Sequence, residues 1–309
     1  MTDRGTERPR AVVALGGNAL LRRGEPPEAA NQARAARDAA VVLARASMTH
    51  ELVITHGNGP QVGLLALMGD AYTATEPYPL DVLDAETAGQ IGYVLEMQLD
   101  NCIDHQDTVA VITRVVVDEN DPAFTSPSKF IGPVYGEREA AEVADRHGWT
   151  VRPDGDRWRR VVPSPEPRRI VQLGAIEQLL DAGVIVVCAG GGGVPVLEDE
   201  RGRYSGVEAV IDKDLTSSLL AVELRVDTLV LATDVDAVYE GYGSEEQHAI
   251  GRATPEGLRS RDYAAGSMGP KVEAAADFAE RTGNRAAIGT LAEVGGLVAG
   301  THGTSVIHG

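Results

Sequence analysis

Four short, β-branched apolar runs in this chain each end in a loop rich in glycine or aspartate, and that repeated junction narrows the possible folds sharply. Ala11-Val-Val-Ala-Leu15 leads into Gly16-Gly17-Asn18, and Glu51-Leu-Val-Ile-Thr55 leads into His56-Gly57-Asn58-Gly59-Pro60. The run at 184–188 leads into the glycines 190–193, and the run at 228–232 leads into Thr233-Asp234-Val235-Asp236. Apolar runs without polar alternation read as strands covered on both faces. Between them, Ala-rich stretches predict helices over 28–48, 60–69, 85–104, 173–182, 213–224, 270–282 and 291–299. Strand, loop and helix repeated in this order give an α/β fold, a mostly parallel sheet with helices on both sides. In such sheets ligands bind beyond the carboxyl ends of the strands, where these loops lie.

The 309 residues are read as one domain, 1–309, with one interruption. Residues 118–165 hold Pro122, Pro127, Pro133, Pro153, Pro163, Pro165 and both tryptophans, with Pro167 just beyond. Within this stretch, 149–162 reads as a hairpin turning at Asp154-Gly155. A structureless loop of that length is unusual, so 118–165 is expected to be a small inserted subdomain. A formal net charge of −18 argues against nucleic acid or an anionic membrane as partner. The apolar run near the N-terminus stops at Gly16, too early for a signal-peptide core, and no run is long enough to span a bilayer. The expected location is cytoplasmic. Cys102 and Cys188 read as buried reduced thiols, and no residues have metal-ligand spacing.

Glycine loops at strand-to-helix junctions offer backbone N–H groups and the positive end of a helix dipole to anions. Gly16-Gly17-Asn18 and Gly57-Asn58-Gly59 are both of this kind, although turns that merely need glycine look the same. The spacing Gly57-x-Gly59-x-x-x-Gly63 does not match a dinucleotide fingerprint, which disfavours a nicotinamide-dependent oxidoreductase. Among 28 basic residues only three are lysines: Lys129, Lys213 and Lys271. Each stands beside Gly, Pro, Ser or Asp at the edge of an element, not in a solvated charge run. An ammonium on a flexible stem suits a moving phosphoryl group. Asp214, next to Lys213, is placed to pair with neighbouring ammoniums. Asp234, at the end of a strand, is placed to meet a nucleotide. His56 is expected to orient backbone rather than to titrate, and no Ser/His/Asp arrangement supports hydrolysis.

The ordered set Ala14-Leu-Gly-Gly-Asn-Ala-Leu20, Thr55-His-Gly-Asn-Gly-Pro-Gln-Val-Gly63, Pro79-Leu-Asp-Val82 and Asn120-Asp-Pro-Ala-Phe124 is followed by four more motifs. These are Arg159-Arg-Val-Val-Pro-Ser-Pro165, Gly190-Gly-Gly-Gly-Val-Pro195, Gly206-Val-Glu-Ala-Val-Ile-Asp-Lys-Asp214 and Ala265-Gly-Ser-Met-Gly-Pro-Lys271. From about Arg10 to Val306 the chain resembles the carbamate kinases of the amino acid kinase family. The resemblance implies a three-layer α/β/α sandwich around a mostly parallel open sheet, a small protruding subdomain and a homodimer. It also implies reversible phosphoryl transfer between ATP and carbamate, giving ADP and carbamoyl phosphate, with Mg2+. By the same resemblance Gly16, Gly17 and Asn18 would hold the transferring group, and Gly57 and Asn58 would face carbamate, with Lys129 closing over it. Lys213 and Lys271 would neutralise phosphate charge, with Asp214 holding them, while Asp234, Tyr239, Met268 and Gly269 would border the nucleotide. The sequence departs from the family pattern at Asp84 and Ala88, before Gly89, and at Phe130. The rivals are an acetylglutamate or glutamate kinase of the same fold, expected to lack the insertion and its lysine, and a non-catalytic nucleotide-binding protein.

Overall fold

The structure is a computed structural model. It describes residues 8–21, 25–72, 74–263 and 268–308, without the side chains of Asn18 and Ala19. In chain order its strands are β1 (Arg10–Leu15), β2 (Glu51–His56), β3 (Thr108–Val111), β4 (Arg114–Val116), β5 (Lys129–Tyr135), β6 (Val151–Asp154), β7 (Arg157–Val162), β8 (Arg169–Ile170) and β9 (Ile185–Cys188). There follow β10 (Val194–Glu198), β11 (Tyr204–Gly206), β12 (Thr228–Thr233), β13 (Val238–Glu240), β14 (His248–Ile250), β15 (Arg252–Ala253), β16 (Arg285–Thr290) and β17 (Thr304–Val306). The helices are α1 (Gly17–Leu20), α2 (Ala29–Ser47), α3 (Gly59–Ala71), α4 (Leu80–Asp100), α5 (Glu137–His147), α6 (Leu173–Asp181), α7 (Lys213–Glu223), α8 (Pro255–Arg259), α9 (Met268–Thr282) and α10 (Val294–Ala299).

An eight-stranded sheet runs in the order β15-β17-β16-β12-β1-β2-β9-β3. β1 lies parallel between β12 and β2, β9 lies parallel between β2 and β3, and β12 lies parallel to β16, whereas β16 and β17 are antiparallel. Successive residues of β1 point to opposite layers. Ala11, Val13 and Leu15 pack with Leu43 of α2, Leu95 of α4 and Leu297 of α10. Val12 and Ala14 pack with Leu180 of α6, Leu220 of α7 and Phe278 of α9. All of these side chains are buried, which is why β1 reads as one unbroken apolar run. Truncating a side chain such as Phe278 in a layer of this kind costs about 3–5 kcal/mol.

Part of the interrupting stretch forms its own antiparallel sheet, β5-β7-β6, which packs with α5. β6 and β7 turn through Gly155-Asp156, one residue beyond the expected Asp154-Gly155, since Asp154 still pairs with Arg157, and Gly155 takes the left-handed conformation that favours glycine (φ +65°). This sheet meets α3 backbone to backbone, so that a β-carbon at Gly63 would lie 2.4 Å from the Gly132 Cα.

Several boundaries differ from the sequence-based expectation. α5 has no predicted counterpart, because its apolar side consists only of small residues and Val143 in a charged stretch, with Ala140 its sole buried residue. α4 begins at Leu80 rather than near 85, with Pro79 as its N-cap and Asp81 in its first turn. The stretch expected as one helix at 291–299 divides into a 3-10 turn, Leu291–Glu293, and α10. Cys188 is buried in β9, but Cys102, expected to be buried, is exposed in the turn that follows α4. Among the described residues no helix is long and apolar enough to cross a membrane.

Candidate active site

The carboxyl ends of β1 and β2 bring two glycine loops together. A β-carbon at Gly57 would stand 3.5 Å from the Gly17 nitrogen and 3.8 Å from the Cδ of Lys213. The Gly57 N–H donates to the Leu15 carbonyl at 3.2 Å, tying the second loop to the first strand. Gly16 leans on β12, where a β-carbon would lie 3.0 Å from the Ala232 carbonyl oxygen. Three loops distant in sequence therefore meet the first turn of α7. The backbone of Gly17 and Asn18 forms α1 at this point, while the Asn18 side chain lies outside the described residues.

The lysines join this confluence through two aspartates. Lys213 Nζ donates to Asp214 Oδ1 at 2.6 Å, and Lys271 Nζ donates to Asp214 Oδ2 at 3.0 Å. Lys129 Nζ, from β5, donates to Asp212 Oδ2 at 2.5 Å. Asp212 is also the N-cap of α7, and its Oδ1 accepts from the backbone N–H groups of Asp214 and Leu215. Among the described residues, three ammoniums thus gather on two neighbouring carboxylates inside an acidic protein. Burial would push the Asp214 carboxyl up, but the Lys213 and Lys271 ammoniums outweigh it and hold the group far below the usual carboxylate range. Burial pulls the Lys213 ammonium below its ordinary value, with Asp214 opposing and Lys271 adding to the shift. The N-termini of α7 and α9 carry Lys213 and Lys271, so helix dipoles reinforce the positive field.

Beneath the second loop, the buried Asn58 donates through its Nδ2 to Asp84 Oδ1 and to Thr87 Oγ1, both at 2.8 Å. His56 is buried, and its Nδ1 lies 3.2 Å from the Gly57 carbonyl oxygen. Burial lowers its pKa to about 4, leaving a neutral ring that orients the loop, as its sequence context predicts. It is not poised to take a proton from a substrate.

The remaining sequence-derived candidates border the same end of the sheet. Asp234 directly follows β12 and accepts from the Thr233 hydroxyl at 3.2 Å. Tyr239 sits on β13, with its hydroxyl donating to Asp236 Oδ1 at 2.7 Å. Met268 and Gly269 open α9 just ahead of Lys271, while Gly266 and Ser267 of the same loop lie outside the described residues. Two participants escaped the sequence reading. Asp212 caps α7, as an aspartate at a helix start ordinarily does, yet it also holds Lys129. The Asp84–Asn58–Thr87 network was legible only in its separate parts, Asn58 in the second glycine loop and Asp84 as a departure from the family pattern.

With this geometry in view, similarity to known proteins is extensive. The profile of the amino acid kinase family matches residues 9–290. A carbamate kinase of Rhizobium meliloti is 52% identical over 301 residues, spanning 96% of this chain and 93% of that protein. A carbamate kinase of Haemophilus influenzae is 52% identical over 298 residues, spanning 96% of both. The structure of a Giardia lamblia carbamate kinase bound to AMP-PNP superposes with a TM-score of 0.90 at 36% identity, covering 98% of this chain and 99% of that one.

Proposed function

Because the chain belongs to the amino acid kinase family, we propose that it is a carbamate kinase, moving a phosphoryl group reversibly between ATP and carbamate. The observation that carries this reading is the pair of lysine ammoniums held on Asp214 where two glycine loops and two helix N-termini meet. Carbamate is already an oxyanion, so its attack on the γ-phosphorus needs no general base. His56, neutral and buried, is consistent with that. Catalysis then consists of alignment and charge neutralisation. Gly16, Gly17 and Asn18 offer donors to the group in flight, and Gly57 and Asn58 fix the carbamate side. Lys129 closes over carbamate from the subdomain proposed for 118–165. Lys213 and Lys271 balance the charge that builds on the equatorial oxygens, and Asp214 keeps both ammoniums aimed. Asp234, Tyr239, Met268 and Gly269 border the nucleotide.

Among the described residues no three His, Cys, Asp or Glu side chains are grouped to hold a metal ion. We assign Mg2+ to the substrate, which it enters on the phosphates of ATP. The homodimer is supported by Tyr93, Met97 and Ile112, exposed where α4 flanks β3, the edge strand of the main sheet. A cytoplasmic location rests on the sequence alone.

The test is ADP formation from MgATP with carbamate, N-acetylglutamate or glutamate as acceptor. Turnover with carbamate well above the other two is expected. Preferred turnover with acetylglutamate would replace this reading with that of its nearest rival, and ATP binding without turnover on any acceptor would favour a non-catalytic protein.

A further inference from the structure

Asn58 is the N-cap of α3, a position from which an asparagine side chain ordinarily accepts from the N–H groups of the first helical turn. Here it makes no such bond. Its amide instead points down to α4, donating to Asp84 Oδ1 and Thr87 Oγ1. Thr87 is itself anchored, its hydroxyl directed to the Leu83 carbonyl at 2.9 Å. Gly191 closes the Asn58 side chain in from above, where any β-carbon would lie 2.3 Å from Nδ2. The first turn of α3 is therefore left without a side-chain cap on the loop that also carries Gly57, beside Gly17 and Lys213.

We propose that Asp84 is a positioning residue for the acceptor: by helping Thr87 to hold the Asn58 amide it keeps that side chain from capping α3, leaving the Gly59 and Gln61 N–H groups to the carbamate moiety, since Pro60 has no N–H and the Val62 N–H is bonded to the Asn58 carbonyl. The inference rests on the carbamate kinase reading of the site. Its physical signature is a trade of stability for binding. Asp84 is fully buried and among the described residues its Oδ2 has no hydrogen-bond partner, a costly arrangement in a protein interior. Burial drives its carboxyl well above the usual range, opposed by the Asn58 hydrogen bond and reinforced by Asp81 and Glu208. An apolar residue of similar size would remove the orphaned oxygen and one of the two bonds that hold the Asn58 amide, leaving Thr87 as its remaining anchor and letting the side chain turn toward the Gln61 N–H. Both changes stabilise the fold, while the cap occupies the donors that the acceptor needs.

Asp84→Val and Asp84→Asn test this directly. For Asp84→Val, a melting temperature equal to or above wild type is expected. Its KM for carbamoyl phosphate should rise about tenfold or more, the scale of one charge-assisted hydrogen bond, with the KM for ADP unchanged. Amide exchange in a peptide spanning 57–62 should slow as the cap forms. Asp84→Asn keeps an acceptor oxygen toward Asn58 and should behave as wild type in KM and exchange. A purely structural role would instead lower the melting temperature and raise both KM values together, which overturns the proposal. So does an Asp84→Val protein with wild-type KM and exchange. If the wild-type protein makes no ATP from carbamoyl phosphate, the reaction assignment falls, and the exchange and melting data still decide the role of Asp84.

Discussion

Replacing Asp214 by Asn removes one negative charge and almost no volume from between two ammoniums 2.6 and 3.0 Å away. The amide still fits, but it can accept only through one oxygen, and its NH2 group faces the other lysine donor to donor. Each charge-assisted hydrogen bond contributes about 1.5–3 kcal/mol, and breaking a buried ion pair by removing one partner costs about 3–5 kcal/mol. Lys213 and Lys271 then repel each other across a buried site, so one of them swings away or sheds its proton. Losing about 3 kcal/mol of transition-state stabilisation lowers kcat about 100-fold. Nucleotide affinity should hold or improve, since a negative charge near the phosphates has gone. A rise in KM for ADP parallel to the fall in kcat would therefore refute the assigned role, as would turnover within threefold of wild type.

The same variant carries a pH signature. A carboxyl held below its unfolded value contributes stability that is present above that value, near 3.8, and is lost as pH falls toward the depressed folded value. Thermal melts of wild type should thus drop steeply below about pH 4, where the loss of this contribution begins. Asp214→Asn should be less stable near neutrality but should show a shallower acid limb. Parallel curves for the two proteins would show that Asp214 gains nothing from its lysines.

Three further outcomes are expected. Lys129→Ala removes the half-exposed ammonium on Asp212 and should raise the KM for carbamoyl phosphate about tenfold, discounted for solvent screening, with ADP little affected; equal effects on both substrates would remove its assignment to the acceptor side. Gly63→Ala forces a β-carbon to 2.4 Å from the Gly132 backbone and should destabilise the protein by about 1–3 kcal/mol; an unchanged melt would show that the α3–β5 contact yields freely. Tyr93→Glu places a charge on the exposed apolar edge beside β3, and light scattering should then report monomer where wild type reports dimer; an intact dimer would move the interface elsewhere.

Much of the fold was legible because the central strands are covered on both faces. β1, β2, β9 and β12 could not be mistaken for half-exposed strands, and the glycine or aspartate that ends each one marks the ligand side of the sheet. α5 was not legible, since its apolar side is made only of Ala140, Ala141, Val143 and Ala144 within a charged stretch between prolines. In the site, the rarity of lysine singled out Lys129, Lys213 and Lys271, and the adjacency of Asp214 to Lys213 pointed to the pairing on Asp214. Which aspartate would serve Lys129 was not foretold. Asp212 caps a helix and binds an ammonium with different oxygens, and residue type cannot separate those tasks. Asp84 reads in sequence only as a departure from a family pattern. Its meaning depends on Asn58, 26 residues away, which folding sets above it.

The most direct test of the lysine–aspartate–lysine cluster is ATP formation from ADP and carbamoyl phosphate, followed by luminescence for wild type, Lys213→Met and Lys271→Met. Wild type should form ATP readily, and each variant should lose about 100-fold or more in kcat while its circular dichroism stays that of the folded protein. Near-wild-type turnover in either folded variant, or no ATP from the wild-type enzyme, would contradict the account.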